Sequence, residues 1–260
     1  MPFGAARISL VIALATSLFG PISPALSDPY PYVGSVSATR GRVVIIDPGH
    51  GGTDSGATAE LAAGAKLMEK DANLAIAQEA ADLLREQGFT VLLTRPGDRR
   101  ANHLQRDLNG DGDVDTSDDL QARLDLANEM RADILVSIHN NSSADPSVRG
   151  TEVIYNESRP FAADSRRLAE AIHDELLRGL RDKGYEPVDK GVTTDVALLG
   201  YPLFVLSPKS EWVARPGEMP AALGENLFIS NPIERELLAR PEILERLGRA
   251  YADAVQRYYR

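Results

Sequence analysis

The fold is decided by one stretch of ten residues, Val43-Val44-Ile45-Ile46-Asp47-Pro48-Gly49-His50-Gly51-Gly52. Its first four residues form a continuous apolar run, which is typical of a strand buried on both faces of a sheet. The Asp-Pro-Gly that follows ends this strand, and the glycines beyond it allow the backbone to approach a bound group closely. A strand buried on both faces belongs in a parallel sheet that is covered by helices, so the stretch predicts an α/β fold.

Helical and extended patterns alternate along the rest of the chain. Apolar residues at helical spacing predict helices at residues 71–87, 120–130, 161–181 and 241–259. Short apolar runs predict further strands at residues 89–94, 133–138, 150–155, 203–206 and 220–224. Strands that alternate with helices indicate a single α/β domain, with a largely parallel twisted sheet and helices on both faces.

The composition excludes several classes of function. The 260 residues include no cysteine, which rules out a thiol nucleophile, thiolate metal ligands and disulfides. A metal ion must therefore be bound by His, Asp or Glu. The net charge of −10, with 28 basic against 38 acidic residues, argues against nucleic acid as a partner.

The N-terminal segment has the three parts of a secretory signal peptide. Arg7 supplies the basic part, residues 8–19 the apolar part, and Ala25 with Ser27 a small-x-small cleavage site. The apolar run is short for a membrane span, although an uncleaved anchor is the alternative. We therefore expect a signal peptide at 1–27, a linker at 28–41 and one catalytic domain at 42–260, working outside the cytoplasm without stable membrane insertion after cleavage.

Two of the four histidines lie where a parallel sheet binds its ligands, just beyond the carboxyl ends of strands. His50 follows the first strand and His139 ends another. Glu69, directly before the first helix, is placed to add a carboxylate; the alternative, which Glu69 taken by itself favours, is an ordinary acidic residue at a helix N-terminus. Two histidines and one glutamate leave one coordination position of a tetrahedral zinc open, which is typical of a catalytic site. His103 and His173 lie in polar surroundings and are predicted to be solvated.

These residues, in this order, resemble the zinc-dependent N-acetylmuramoyl-L-alanine amidases of the Amidase_3 type. The resemblance is carried by residues 44–52, Glu69, Ser137-Ile138-His139-Asn140 and the C-terminal block at 220–231. It covers residues 42–259. It implies that His50, Glu69 and His139 bind zinc and that Glu225 is the catalytic carboxylate.

The resemblance implies that the substrate is peptidoglycan and that the bond cleaved joins N-acetylmuramic acid to L-alanine. The chain departs from the family at Leu227, where glycine is usual, and in an insertion at 207–218. A zinc peptidoglycan peptidase and a catalytically impaired cell-wall-binding regulator are the alternatives. The sequence identifies no activator protein, and we expect the isolated mature chain to be active unless the insertion folds over the cleft.

A second motif lies at residues 107–118, in the segment before the second helix. Oxygen-bearing side chains occupy positions 1, 3, 5, 7, 9 and 12 of this twelve-residue loop: Asp107, Asn109, Asp111, Asp113, Asp115 and Asp118. Gly112 occupies the sixth position, where a sharp turn is needed. The loop resembles that of dockerins and predicts a structural calcium ion; the alternative is a flexible acidic loop.

Overall fold

The computed structural model describes residues 41–260. The strands are β1 (Val43–Pro48), β2 (Thr58–Glu60), β3 (Lys66–Met68), β4 (Thr90–Leu93), β5 (Ile134–Asn141), β6 (Thr151–Tyr155), β7 (Asp189–Thr194) and β8 (Ala221–Phe228). The helices are α1 (Glu69–Glu86), α2 (Thr116–Glu129), α3 (Ala162–Asp182), α4 (Asp195–Leu199), α5 (Pro232–Leu238) and α6 (Pro241–Tyr258). Within these residues no helix has both the length and the apolar character needed to cross a bilayer. The predicted signal peptide, and the linker apart from its last residue, lie outside the described residues.

Six strands form one sheet in the order β4-β1-β5-β8-β6-β7. Neighbouring strands are parallel except for β6, which runs antiparallel to β8. This confirms the predicted α/β domain with a largely parallel sheet. Because β1, β5 and β8 run in the same direction, their carboxyl ends meet at one edge, which is hereafter called the carboxyl edge.

The two faces of the sheet carry separate apolar cores. Side chains alternate across a strand, so Val44 and Ile46 of β1 pack with α1, α3 and α6, whereas Val43 and Ile45 pack with α2. All four are at most 1% exposed. The continuous apolar run in the sequence is therefore explained by burial of both faces of β1.

The structure corrects the sequence prediction at residues 203–206, which form a 3-10 helix at Phe204–Leu206 instead of a strand. Val205 and Leu206 are buried against α2. A short apolar run cannot by itself distinguish a strand from a short buried helical turn. The prediction also missed β7, because this edge strand is half exposed and its sequence, Asp-Lys-Gly-Val-Thr-Thr, has no apolar pattern.

Helix α2 begins earlier than the apolar spacing predicts. Asp115 is its N-cap and accepts a hydrogen bond from the Ser117 N–H, while the Asp118 side chain accepts from the Asp115 N–H. Such a capping box satisfies N–H groups that have no partner within the helix. The start of α2 is therefore set by polar capping residues that belong to the predicted calcium loop.

Candidate metal and catalytic site

Three predicted metal ligands come together at the carboxyl edge. His50 follows β1, His139 lies near the end of the neighbouring β5, and Glu69 is the first residue of α1. Glu69 Oε1 is 3.1 Å from His50 Nε2 and 3.1 Å from His139 Nδ1. One possible ligand atom from each residue lies within 4.8 Å of the other two. Within residues 41–260, these three side chains are the group of His, Asp and Glu residues that could hold a metal ion. We call these residues the ligand cluster.

The backbone that presents His50 is held by two buried arginines. His50 has a left-handed conformation, with φ of 62°, which is uncommon for a residue other than glycine. Arg95 donates hydrogen bonds of 2.9 Å to the carbonyls of Pro48 and Gly49. Arg123 donates to the carbonyls of Pro48 at 2.9 Å and His50 at 2.8 Å. These bonds satisfy buried carbonyls and keep the loop in the conformation that points His50 towards Glu69.

Asp47 supplies the charge that anchors Arg123. Its carboxylate lies 2.7 Å from the guanidinium, and the hydroxyls of Thr94 and Ser137 donate to it at 2.6 and 2.7 Å. Burial would raise the pKa of Asp47, but Arg123 and the two hydroxyls together lower it to about 2. Asp47 is therefore ionised at neutral pH, and its buried ion pair fixes α2 against the end of β1.

Glycines leave the room that the ligand side chains need. A β-carbon at Gly49 would overlap the His139 ring, and one at Gly56 would lie 2.5 Å from Glu69 Oε2 and 2.6 Å from His50 Cδ2. The imidazole nitrogens and the carboxylate oxygen are donors that suit zinc. Both the donor set and the space cleared for it fit a bound zinc ion.

Further hydrogen bonds orient the ligand cluster. His50 Nδ1 lies 2.9 Å from Asp54 Oδ2, so that Nε2 faces Glu69. Glu69 Oε2 accepts from the Ala57 N–H at 2.9 Å. A carboxylate bound to the second ring nitrogen is common among metal-binding histidines. The sequence analysis missed Asp54, although its position four residues after His50 was a usable signal.

The ligands also affect one another's protonation. Burial alone would lower the pKa of His50, yet hydrogen bonds and charge from Glu69 and Asp54 raise it. Burial alone would raise the pKa of Glu69, yet His139 and His50 hold it well below its usual range. Glu69 is therefore the negatively charged centre of the cluster.

Glu225 lies beside the ligand cluster on β8. It is paired with His139 across the parallel β5–β8 register, and with Glu152 on its other side. Its Oε2 is buried and has no hydrogen-bond partner among residues 41–260. Burial, together with the charges of Glu69 and Glu152, raises the pKa of Glu225 well above its usual range. A buried carboxyl oxygen without a partner, next to possible metal ligands, marks Glu225 as a candidate for proton transfer.

The structure also accommodates Leu227. The β5–β8 register shifts between the pairs His139–Glu225 and Asn141–Phe228, so that β8 has a β-bulge at Asn226 and Leu227. The bulge turns Leu227 into the core shared with α1, α3 and α6, where it is fully buried. Leucine at this position is therefore a packing residue and does not obstruct Glu225.

The insertion at 207–218 packs against helix α2. It leads into the amino end of β8, whereas the ligand cluster lies at the carboxyl ends of β1 and β5. The Gln121 side chain of α2 accepts from the backbone N–H groups of Ala214 and Arg215, and Asn128 donates to the Pro216 carbonyl. These bonds attach the insertion along α2, and Arg215 also donates to the Leu108 carbonyl at 2.9 Å. That the insertion leaves the cleft open stays a prediction.

The predicted calcium ligands do not converge as the ligand cluster does. Asp107 accepts hydrogen bonds from the N–H groups of Gly110 and Gly112, and Asp118 accepts from those of Leu108 and Asn109. In the part of the chain that the structure describes, no three acidic groups of this loop form a metal-type cluster. Calcium binding at 107–118 therefore stays a prediction.

The remaining histidines have structural surroundings. The prediction that His173 is solvated is wrong: it is buried, with Nε2 2.9 Å from an Asp189 carboxylate oxygen. The reason is that β7, which the sequence did not reveal, places Asp189 beside α3. His103 is half-buried, with Nδ1 3.3 Å from the Ala101 carbonyl oxygen.

Comparisons with known proteins agree with this geometry. Residues 44–257 match the family Amidase_3, N-acetylmuramoyl-L-alanine amidase. The chain is 31% identical to the germination-specific N-acetylmuramoyl-L-alanine amidase of Bacillus subtilis over 84% of this chain and 80% of the relative. Its structure is similar to that of the N-acetylmuramoyl-L-alanine amidase AmiC2 of Nostoc punctiforme. The TM-score is 0.62 and the identity 28%, over 84% of this chain and 97% of that chain. It is also similar to the CwlD amidase of Clostridioides difficile, solved in complex with the GerS lipoprotein. The TM-score is 0.60 and the identity 27%, over 84% of this chain and 98% of that chain.

Proposed function

The chain belongs to the Amidase_3 family of N-acetylmuramoyl-L-alanine amidases, and we propose that it hydrolyses the bond between N-acetylmuramic acid and L-alanine in peptidoglycan with a zinc ion held by His50, Glu69 and His139. The observation that carries the proposal is the convergence of three ligand atoms within 4.8 Å. The buried Oε2 of Glu225 beside them supports a hydrolytic use of this site.

The roles of the chain's own residues follow from the chemistry of amide hydrolysis. When bound, zinc supplies Lewis-acid chemistry, which polarises an amide carbonyl and makes water more acidic. Glu225 accepts a proton from the attacking water as the water oxygen bonds to the carbonyl carbon. It then donates that proton to the nitrogen as the C–N bond breaks, because an amide nitrogen leaves readily only when it is protonated. The products are a free lactyl carboxylate on muramic acid and a peptide with a free L-alanyl amine.

The test is digestion of purified peptidoglycan with and without a chelator, followed by mass analysis of the fragments. We expect new lactyl carboxylates on muramic acid and new L-alanyl amines, both lost with the chelator and restored by added zinc. New amines within the stem peptide would instead indicate a zinc peptidase. Binding without cleavage would indicate a cell-wall-binding regulator, against which the complete ligand cluster and Glu225 speak.

The proposal includes the arrangement of the chain. We propose a signal peptide at 1–27, a linker at 28–41 and a catalytic domain at 42–260. Peptidoglycan lies outside the cytoplasmic membrane, so the enzyme would act in the periplasm or after secretion. Amino-terminal sequencing of the exported protein, with Asp28 as the expected first residue, tests this arrangement.

We expect that the insertion does not inhibit the enzyme. We expect the isolated mature protein to be active, and removal of the exposed tip at 209–212 to leave kcat/KM unchanged. The tip is chosen because Ser207 and Val213 are buried and anchor the insertion. Initial rates on purified peptidoglycan measure the effect. A large gain in activity after the deletion, from a nearly silent parent, would contradict this prediction.

The calcium prediction is tested by thermal stability. Weak extracellular calcium sites have dissociation constants of roughly 10⁻⁴ to 10⁻³ M, and binding at 100 times that constant stabilises a fold by about 2.7 kcal/mol. We therefore expect millimolar calcium to raise the Tm of the wild type but not that of an Asp107→Ala, Asp111→Ala double variant. Zinc content should be equal in both proteins. An unmoved wild-type Tm would mean that the loop is only acidic.

A further inference from the structure

The backbone of His139 is held from the neighbouring strand by a side chain that no part of the proposed reaction uses. The β-bulge in β8 places Asn226 next to the carbonyl of His139, and Asn226 Nδ2 donates to that carbonyl at 2.7 Å. The regular ladder is interrupted at a bulge, so the side chain supplies a bond where the strands cannot pair regularly. Asn226 is fully buried. It therefore connects the strand of a metal ligand to the strand of Glu225.

The side chain of Asn226 is in turn held by a residue of helix α6, which packs on one face of the sheet. The hydroxyl of Tyr251, on α6, donates to Asn226 Oδ1 at 2.8 Å. This bond leaves the amide nitrogen, and not the amide oxygen, to face the His139 carbonyl. The Asn226 backbone is fixed as well, because the Thr151 hydroxyl donates to its carbonyl at 2.8 Å. The orientation of Asn226 is thus determined by partners on two other elements.

Tyr251 contacts the backbone on the other side of Glu225 too. Its hydroxyl lies 3.5 Å from the Gly224 carbonyl oxygen, and a β-carbon at Gly224 would overlap that hydroxyl. Tyr251 is fully buried. Glu225 therefore sits between two residues, Gly224 and Asn226, that both contact one phenol group.

Satisfying the His139 carbonyl at the bulge explains Asn226 alone, and does not explain why a second buried polar group, Tyr251, fixes its orientation. Burying a phenol hydroxyl and an amide carries a desolvation cost that apolar side chains of similar size avoid. Neighbouring positions on the same core are apolar, including Leu227 on β8 and Ala250 and Ala252 on α6. The polar pair is placed only where β8 passes the ligand cluster.

We propose that Asn226 and Tyr251 are positioning residues, which hold the backbone of His139 and the flanks of Glu225 so that the metal ligand and the carboxyl group keep a fixed separation. The inference rests on the proposed function, because it assigns a role towards zinc and towards the proton carrier. Both residues are fully buried and so are out of reach of a substrate. Both act on the site through strands β5 and β8.

The test compares Tyr251→Phe, Asn226→Ala and the double variant with the wild type. The readouts are the zinc dissociation constant from chelator competition, kcat and KM on peptidoglycan, and Tm. Loss of groups that orient metal ligands commonly costs 10- to 100-fold in metal affinity or activity. We expect Asn226→Ala to weaken zinc binding about 10-fold or more and to lower kcat with KM unchanged. Tyr251→Phe should also weaken zinc binding and lower kcat, but by a smaller factor.

The double variant and a matched control show whether Tyr251 affects zinc binding through Asn226. Tyr251 reaches His139 through Asn226, so the double variant should bind zinc no more weakly than Asn226→Ala alone. Tyr258→Phe makes the same chemical change on the same helix. It lies against Arg167 at the amino edge of β1 and β5, away from the ligand cluster, and should leave zinc affinity unchanged.

Two outcomes would overturn the inference. One is a lowered Tm in both single variants with wild-type zinc affinity and kcat, which would show a purely structural pair. The other is an additive loss of zinc affinity in the double variant, which would show that Tyr251 does not reach His139 through Asn226. If Asn226→Ala does not fold, the zinc affinity and kcat of Tyr251→Phe test the inference, because that variant keeps the ring that fills the core. Wild-type protein that binds no zinc would refute the proposed function itself, a separate result.

Discussion

Replacement of His139 by alanine is expected to abolish both zinc binding and hydrolysis. His139 supplies one of the three ligand atoms, and His50 and Glu69 supply the other two. Two remaining donors hold a zinc ion too weakly for it to stay bound through purification. The same result is expected for His50→Ala. Zinc content by elemental analysis and the initial rate of peptidoglycan cleavage measure the two effects in the same preparation.

A histidine outside the cluster provides the matched control. His103 is half-buried and lies outside the ligand cluster, so His103→Ala should keep full zinc content and activity. Near-wild-type Tm in His139→Ala would show that loss of activity is not loss of fold. Full activity in a zinc-free His139→Ala protein would refute the metalloenzyme proposal.

Glu225→Gln is expected to separate metal binding from catalysis. Glutamine has nearly the same shape as glutamate but cannot accept and return a proton, so kcat should fall on the order of 10²-fold or more. Zinc content should stay stoichiometric, because Glu225 is not one of the three ligands. The Oε2 atom has no hydrogen-bond partner in the described part of the chain, so the substitution removes no structural bond there.

Glu152→Gln controls for the change in charge. Glu152 is paired with Glu225 on the adjacent strand and accepts a hydrogen bond of 2.6 Å from Asn141, and its replacement also removes one buried negative charge. A far smaller loss of kcat is expected, since Glu152 has no assigned proton-transfer step. Turnover near the wild-type level in Glu225→Gln would place the proton carrier elsewhere.

Local sequence patterns predicted much of the fold and the residues at the centre of the site. The apolar run of β1 predicted a strand buried on both faces, and the helical spacing predicted most of α1, α3 and α6. His50 and His139 could be placed together because parallel strands bring their carboxyl ends to one edge of a sheet. Glu69 was a candidate because it lies at the start of the next helix, and the resemblance to the Amidase_3 family assigned it as a ligand. Apart from the assignment of Glu69, these inferences depend only on the order of neighbouring residues and the period of the apolar pattern.

The errors lie where the conformation depends on distant partners. Residues 203–206 are apolar in either conformation, and packing against α2 makes them a 3-10 helix. The polar strand β7 exists because β6 offers it an edge, and His173 is buried because β7 then lies nearby. No pattern within these segments contains that information.

The sequence by itself determined the class of fold, the strand ends that carry the two histidines and the chemical identity of the ligand cluster. Only the tertiary structure decided the details that make the cluster a site. It turned Leu227 into the core by a bulge, joined Asn226 of β8 to Tyr251 of α6 and attached the insertion to α2. The physical reason is that strand periodicity and helix spacing are local, whereas a bulge, a buried hydrogen bond and the attachment of a loop form between segments far apart in the chain.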